Sequence, residues 1–294
     1  MDSVTILLGL GIVGAALGSF AAATVWRLRA RQLQVDKANH EPYDKKEYTA
    51  LKKLLGVKRL EDRSRCLHCG ATLRWYELLP VLSWVAQRGR CRSCHAFIGW
   101  FELLAEVSLA AFFVGSFVFW PYPLDSVIHV AQLGIWLLAG VVMTVLFAYD
   151  AKWYLLPDRA TILLAGLGLV SAILAVIDAQ VPFTAGMSVV GALALLPGVY
   201  LALYLFSKGQ WVGFGDVKLG VGLALLLADW KLAFLALFMA NFIGTLIVFP
   251  LLLAGKIKRT TKIPFGPLLI VGTVVAALFG PTIINQYAYL LLPL

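Results

Sequence analysis

Three aspartates stand where apolar runs meet polar sequence: Asp150, Asp158 and Asp216. Asp150 closes an uncharged run as Phe147-Ala148-Tyr149-Asp150, and Asp216 opens a short apolar stretch as Gly213-Phe214-Gly215-Asp216-Val217-Lys218. Two carboxylates brought together at a membrane edge can share one proton. The ionised one takes a proton from water while the protonated one polarises a peptide carbonyl. This is aspartyl-protease chemistry, and it needs no metal. Glycines at 213 and 215 remove side-chain bulk just before the second carboxylate, so an extended peptide can approach the backbone there. Taken singly, each aspartate reads as a capping or topogenic charge. It is the pair, at similar depth, that points to catalysis. Asp158 follows Pro157 and precedes an apolar run, an ordinary helix-capping position.

A second chemistry lies in the cysteines, Cys66-Leu67-His68-Cys69 and Cys91-Arg92-Ser93-Cys94, spaced C-x2-C-x21-C-x2-C. Two knuckles presenting two thiolates each suit a tetrahedral, closed zinc site that stabilises a fold. Gly70 and Gly89 permit the tight turns beside them. His68 and His95 are spare ligands next to four sufficient thiols. A third feature is Glu102 and Glu106, four residues apart on one helix face at the start of a weak apolar span. Charge in lipid is costly, so such a span must face protein or water, and a site is to be sought there.

The elements that position these residues follow from composition. The chain has 294 residues, 61% hydrophobic and only 14% charged, against about 25% charged in soluble domains. Uncharged runs at 3–26, 126–149, 160–177, 179–207, 232–255 and 263–294 predict an all-α polytopic membrane protein. About eight spans are expected: 3–26, 101–121, 126–149, 159–177, 184–206, 216–228, 232–254 and 266–290. Alternation over roughly ten-residue strands is missing, which excludes a β-barrel. Met1-Asp2 offers no basic leader, so the first run reads as an anchor.

Of 25 Lys and Arg, 16 lie in residues 27–100. If that insert is cytoplasmic, Lys231 is the only basic residue on the far side, and the positive-inside rule then sets the N-terminus outside. The net charge of +9 is thus a topogenic and lipid-headgroup signal, with no nucleic-acid partner implied. Within the insert, the charged stretch 31–64 is expected as amphipathic helix on the membrane surface. The division expected is a first transmembrane helix at 1–26, a four-cysteine insert at 27–100 and a transmembrane catalytic domain at 101–294.

Ordered along the chain, these motifs resemble the type IV prepilin leader peptidases, G-x-G-D intramembrane aspartyl proteases. The resemblance runs from Gly18-Ser19-Phe20 and Arg27-Leu28 through Leu79-Pro80-Val81-Leu82-Ser83-Trp84 and Arg88-Gly89-Arg90-Cys91. It continues with Ile98 to Glu106, Asp150, Leu156-Pro157-Asp158 and Gly213-Phe214-Gly215-Asp216, and ends at Pro264-Phe265-Gly266-Pro267. Ala22 stands where the family usually has Asn, and Glu77-Leu78-Leu79 where it often has Glu-Asn-Ile. The resemblance implies a catalytic dyad of Asp150 and Asp216. It also implies prepilin or pseudopilin substrates cut after a Gly at the cytoplasmic boundary of the inner membrane. N-methylation of the new N-terminus with S-adenosylmethionine, and a structural zinc on Cys66, Cys69, Cys91 and Cys94, complete the expectation. Three alternatives stand beside it. One is a peptidase without methyl transfer. Another is a transporter with paired carboxylates, which should carry internal repeats that this chain lacks. The last is a zinc-ribbon membrane scaffold, which leaves the aspartate pair unexplained.

Overall fold

A computed structural model describes residues 3–55, 63–258 and 261–291. The chain divides into two compact units, Met1–Val114 and Gly115–Leu294, and among the described residues it is helical apart from two isolated β-bridges.

In the first unit, α1 (Ser3–Ala38) runs through 36 residues, well past the apolar run that ends at Trp26. Nothing in Arg27–Ala38 breaks a helix; Arg, Leu, Ala and Gln are good helix formers. The extension has its own small core, in which Ala30 and Leu33 are sealed against Leu51, flanked by Trp26, Tyr43 and Tyr48. α2 (Lys45–Leu51) starts at Asp44, whose carboxylate accepts from the N–H groups of Lys46 and Glu47. Those two N–H groups, Glu47 first, hold the Asp44 carboxyl below the usual carboxylate range. Arg29 donates twice to one Glu47 oxygen, at 2.6 and 3.0 Å, and pins α2 to α1. The charged stretch is therefore two helical pieces; Lys58 and Arg59 lie outside the described residues. After the short α3 (Leu82–Ala86) comes α4 (Phe101–Val118). It meets α1 at Gly14 and Gly18, one turn apart. A Cβ on Gly18 would lie 2.6 Å from Ala105 O and Glu106 Cα, and one on Gly14 would lie 2.8 Å from Ala110 Cα. Only small residues allow two backbones this close.

The second unit contains α5 (Val127–Trp153), α6 (Asp158–Asp178), α7 (Pro182–Ser207), α8 (Phe214–Leu227), α9 (Trp230–Leu253) and α10 (Phe265–Leu291). α5 opens on Ser126, whose hydroxyl accepts from His129 N–H at 3.1 Å, and α7 opens with Pro182, where a missing N–H costs nothing. Among the described residues, seven helices are long and apolar enough to cross a membrane. The eighth expected span, α8, has 14 residues, about 21 Å against a hydrocarbon core of roughly 30 Å. It packs against α6 and α7, and its glycines set the spacing. A Cβ on Gly222 would lie 3.0 Å from Leu164 Cγ, one on Gly220 would lie 3.2 Å from Pro197 Cα, and one on Gly168 of α6 would lie 2.7 Å from Gly222 O. Leu164, Leu196, Leu219, Leu223 and Leu269 fill the interior with no solvent exposure.

Candidate active site and metal centre

Asp150 sits in the last turn of α5 and is 6% exposed. Its Oδ2 accepts a 3.0 Å hydrogen bond from the N–H of Gly266, 116 residues away and second in α10. The first N–H groups of a helix have no partner inside it and carry the positive end of its dipole. α10 therefore begins by pointing a donor at Asp150. The glycine is required by contact: a Cβ there would lie 2.8 Å from Asp150 Oδ2. Asp216 is third in α8, and its Oδ2 accepts from Gly213 N–H at 3.3 Å while its own N–H donates to Gly213 O at 3.1 Å. Each aspartate is thus held at a helix N-terminus, one at its own and one at a neighbour's.

In the structure, α5 packs against α6 and α10, and α8 packs against α6, α7 and α10. The shared neighbours α6 and α10 bring the carboxylates within electrostatic reach, so that the charge of Asp150 acts on Asp216. Asp216 in turn acts on Tyr200 of α7. This tyrosine is 3% exposed, its ring lies 5.2 Å from that of Phe265, and its buried hydroxyl has no hydrogen-bond partner among the described residues. Neither Tyr200 nor Gly266 was picked out as a site residue from sequence. The one signal for Gly266 is its place between two prolines before an apolar run.

Asp158 is not the cap of α6 but its first residue, after Pro157, and its carboxylate pairs with Lys218 Nζ at 2.7 Å. Gly213 and Gly215 differ in their surroundings. A Cβ on Gly215 would lie 3.2 Å from Leu156, whereas one on Gly213 would meet nothing nearer than Asp216 Oδ2 at 3.7 Å.

The four cysteine sulfurs lie within 4.8 Å of one another, with Cys66 to Cys94 at 3.9 Å and Cys69 to Cys91 at 4.0 Å. These spacings are far beyond a disulfide bond. They match the edges of a tetrahedron with metal–sulfur bonds of about 2.3 Å, which are roughly 3.8 Å long. The donor set therefore fits one tetrahedral, thiophilic ion. The two knuckles repeat each other. Cys66 N–H donates to Ala71 O and Gly70 N–H to Cys66 O; Cys91 N–H donates to Ala96 O and His95 N–H to Cys91 O. Each is closed by one bridge, Arg65 with Thr72 and Arg90 with Phe97. The left-handed position falls on Gly70 in the first knuckle and on His95, at φ 56°, in the second. Gly89 is left-handed as well, at φ 66°, and a Cβ there would strike the Trp84 ring at 2.7 Å. Burial pushes the Cys66 thiol up to about 12. Burial also opposes ionisation of Cys91, yet the N–H groups of Cys94 and Ser93 draw it down to about 7.

Fold and site together define a multi-pass membrane protein with two helix-held aspartates and a four-thiolate insert. The profile of the bacterial peptidase A24 N-terminal domain matches residues 12–120, and that of the type IV leader peptidase family matches residues 136–249. The chain is 32% identical over 226 residues to a prepilin leader peptidase/N-methyltransferase of Stutzerimonas stutzeri, covering 76% of this chain and 74% of the relative. A protein of the same description from Pseudomonas putida is 31% identical over 285 residues, 92% and 90% of the two chains. One from Legionella pneumophila is 26% identical over 284 residues, 94% and 92%. No solved structure matches the chain. The chain belongs to the type IV prepilin leader peptidase family.

Proposed function

We propose that this protein is an intramembrane aspartyl peptidase that removes the basic leader of type IV prepilin or pseudopilin substrates. The observation that carries the reading is the pair Asp150 and Asp216, each fixed by an N–H at a helix start, with the charge of Asp150 acting on Asp216. Like charges this close favour sharing one proton. The ionised carboxylate draws a proton from the attacking water, and the protonated one hydrogen-bonds the scissile carbonyl oxygen as it gains charge. The leaving amine then takes a proton from the carboxyl that received one, which restores the pair. Gly266 N–H keeps one oxygen of Asp150 oriented through both steps. The open side of Gly213 is the approach for the substrate's extended small-residue segment, while Gly215 makes room for Leu156.

The insert and the loops that follow Trp153, Ser207 and Leu253 lie on the cytoplasmic face of the inner membrane, with the N-terminus outside. This places 24 of 25 basic side chains inside, leaving Lys231, as the positive-inside rule requires. The four cysteines hold a structural zinc ion. The new N-terminus is then N-methylated, with S-adenosylmethionine supplying the methyl group. Lipids and the pilin substrates are the partners; the basic residues serve topology, with no nucleic acid involved. The test is the mass of a co-expressed prepilin, which reports truncation and one added methyl group separately. Asp150→Asn and Asp216→Asn should each abolish truncation while the protein still accumulates in the membrane. Near-normal truncation by Asp150→Asn would overturn the assignment. Asp158→Asn should change little, because an exposed ion pair contributes about 0–1 kcal/mol.

A further inference from the structure

The charged insert contains one long apolar run, Leu78 to Gln87, bounded by Glu77 and Arg88. Its ten residues are too few to span a bilayer and suit an interfacial segment. The run contains α3, and its two sides differ. Ser83, Trp84 and Gln87 line a cavity between α1, α4 and the knuckles. Trp84 is fixed there, its Nε1 donating to Gly99 O at 2.9 Å and its ring 4.7 Å from that of Trp100. Leu79, Leu82 and Val85 stand outside that lining and are 42%, 68% and 60% exposed. Leu82 and Val85, three apart, share one helix face.

Two contacts fix the depth of this face. Val81 N–H, at the start of α3, donates to Glu106 Oε2 at 2.7 Å, and Glu106 is the sixth residue of α4. The Cα of Glu106 meets Gly18 of α1, where a Cβ would lie 2.6 Å away. Gly18 precedes Arg27, the first charge in α1, by nine residues, or about 14 Å of helix. The glutamate side chain leans toward the start of α4. Val81 is still held beside the opening turns of a span, inside the level of Arg27. The N–H groups of Val81, Leu82, Ser83 and Val85 are all bonded, as immersion in lipid requires. Of the two carboxylates that α4 brings to this level, Glu102 accepts from Trp26 Nε1 and Glu106 holds the loop.

Charge identifies what covers the apolar face. Arg88, Arg90 and Arg92 follow the run directly and are all exposed. With His95 they surround one open basin beside the second knuckle. We infer that residues 78–87 are immersed in the headgroup and upper acyl region of the protein's own membrane, with these arginines on the phosphates of anionic lipids. Interfacial elements enter by about 5–10 Å, in keeping with the level set by Glu106. Trp100, 58% exposed immediately before α4, adds the aromatic ring that membrane interfaces favour. This mode of anchoring is independent of the peptidase chemistry. The competing occupant is the apolar helix of a prepilin, but that helix follows a basic leader, which three arginines would repel.

The test uses the full, zinc-containing chain reconstituted in vesicles of phosphatidylethanolamine and phosphatidylglycerol. Leu82→benzoylphenylalanine and Val85→benzoylphenylalanine each place a photoreactive ketone on the apolar face. Ala50→benzoylphenylalanine places one on α2, which packs beyond Arg27 against Ala30 and Leu33. After irradiation, phospholipid adducts read by mass should form at 82 and 85 on the order of tenfold above the yield at 50. If either label lowers zinc content, Leu79→benzoylphenylalanine replaces it. Yields no higher than at 50 overturn the proposal, as do adducts that pass to prepilin when it is co-reconstituted. In the labelled chains, Arg88→Gln with Arg90→Gln should lower the ratio of phosphatidylglycerol to phosphatidylethanolamine adducts about fivefold. An unchanged ratio removes the arginines from the lipid site and overturns it.

Discussion

The bond from Gly266 to Asp150 joins residues that the sequence separates by 116 positions, and it is sensitive to a single methyl group. Gly266→Ala places a Cβ 2.8 Å from Asp150 Oδ2, so the carboxylate or the start of α10 must shift. A displacement of about 1 Å in a catalytic group costs on the order of 10²-fold in rate. Gly266→Ala should therefore reduce prepilin truncation by about that factor while leaving zinc content and membrane insertion normal. A variant that truncates at the wild-type rate would show that Asp150 does not depend on this donor. Tyr200 is another residue that only the structure brings forward. Its buried hydroxyl has no partner among the described residues, within the electrostatic reach of Asp216.

At the level of the elements, the knuckles are small, and among the described residues each is closed by a single β-bridge. So small a structure would draw its stability from an ion held by the four thiols. About one zinc per chain is expected, and Cys66→Ser or Cys94→Ser should reduce it together with the thermal stability of the insert, measured by metal analysis and by melting. Stoichiometric disulfides with no metal would contradict this. Protons compete with zinc for thiolates. Bound metal should thus fall on acidification. The spans were legible in the sequence because lipid excludes charge, which leaves long uncharged runs. The cysteine spacing was legible because four thiolates in two pairs have few other uses. What was not legible depends on neighbours. Arg27 ends the membrane segment but not the helix, since charge is no obstacle to helical hydrogen bonding, and so α1 runs on to Ala38. The aspartates approach through α6 and α10 because glycines on those helices and on α8 set the distances, and no local pattern records which backbone a glycine will meet. Gly89 makes the expected turn, left-handed at φ 66°, but the second left-handed residue there is His95, which no preference for glycine could point to.

For the molecule as a whole, the orientation rests on charge, and reporters can test it. Fusions within 208–213 should report a cytoplasmic position and fusions within 179–181 an external one; the opposite pair would reverse every assignment of face. On the proposed path α8 is a crossing element although it has only 14 residues. Its far end turns at Ala228, and Asp229 then opens α9, its carboxylate accepting from the N–H groups of Lys231 and Leu232 at 2.7 and 3.1 Å and from the Ser188 hydroxyl at 3.2 Å. A polar turn fastened in this way cannot stretch to meet a distant interface. The bilayer has to come to it, by thinning locally or by letting Lys231 snorkel. This is hydrophobic mismatch built into the catalytic unit, and its consequence is a dependence on the length of the surrounding acyl chains. Reconstituted in a series of phosphatidylcholines, the protein should turn over fastest in the shorter-chain members and slow as the hydrocarbon thickens, because each added methylene loads the helix that begins at Asp216.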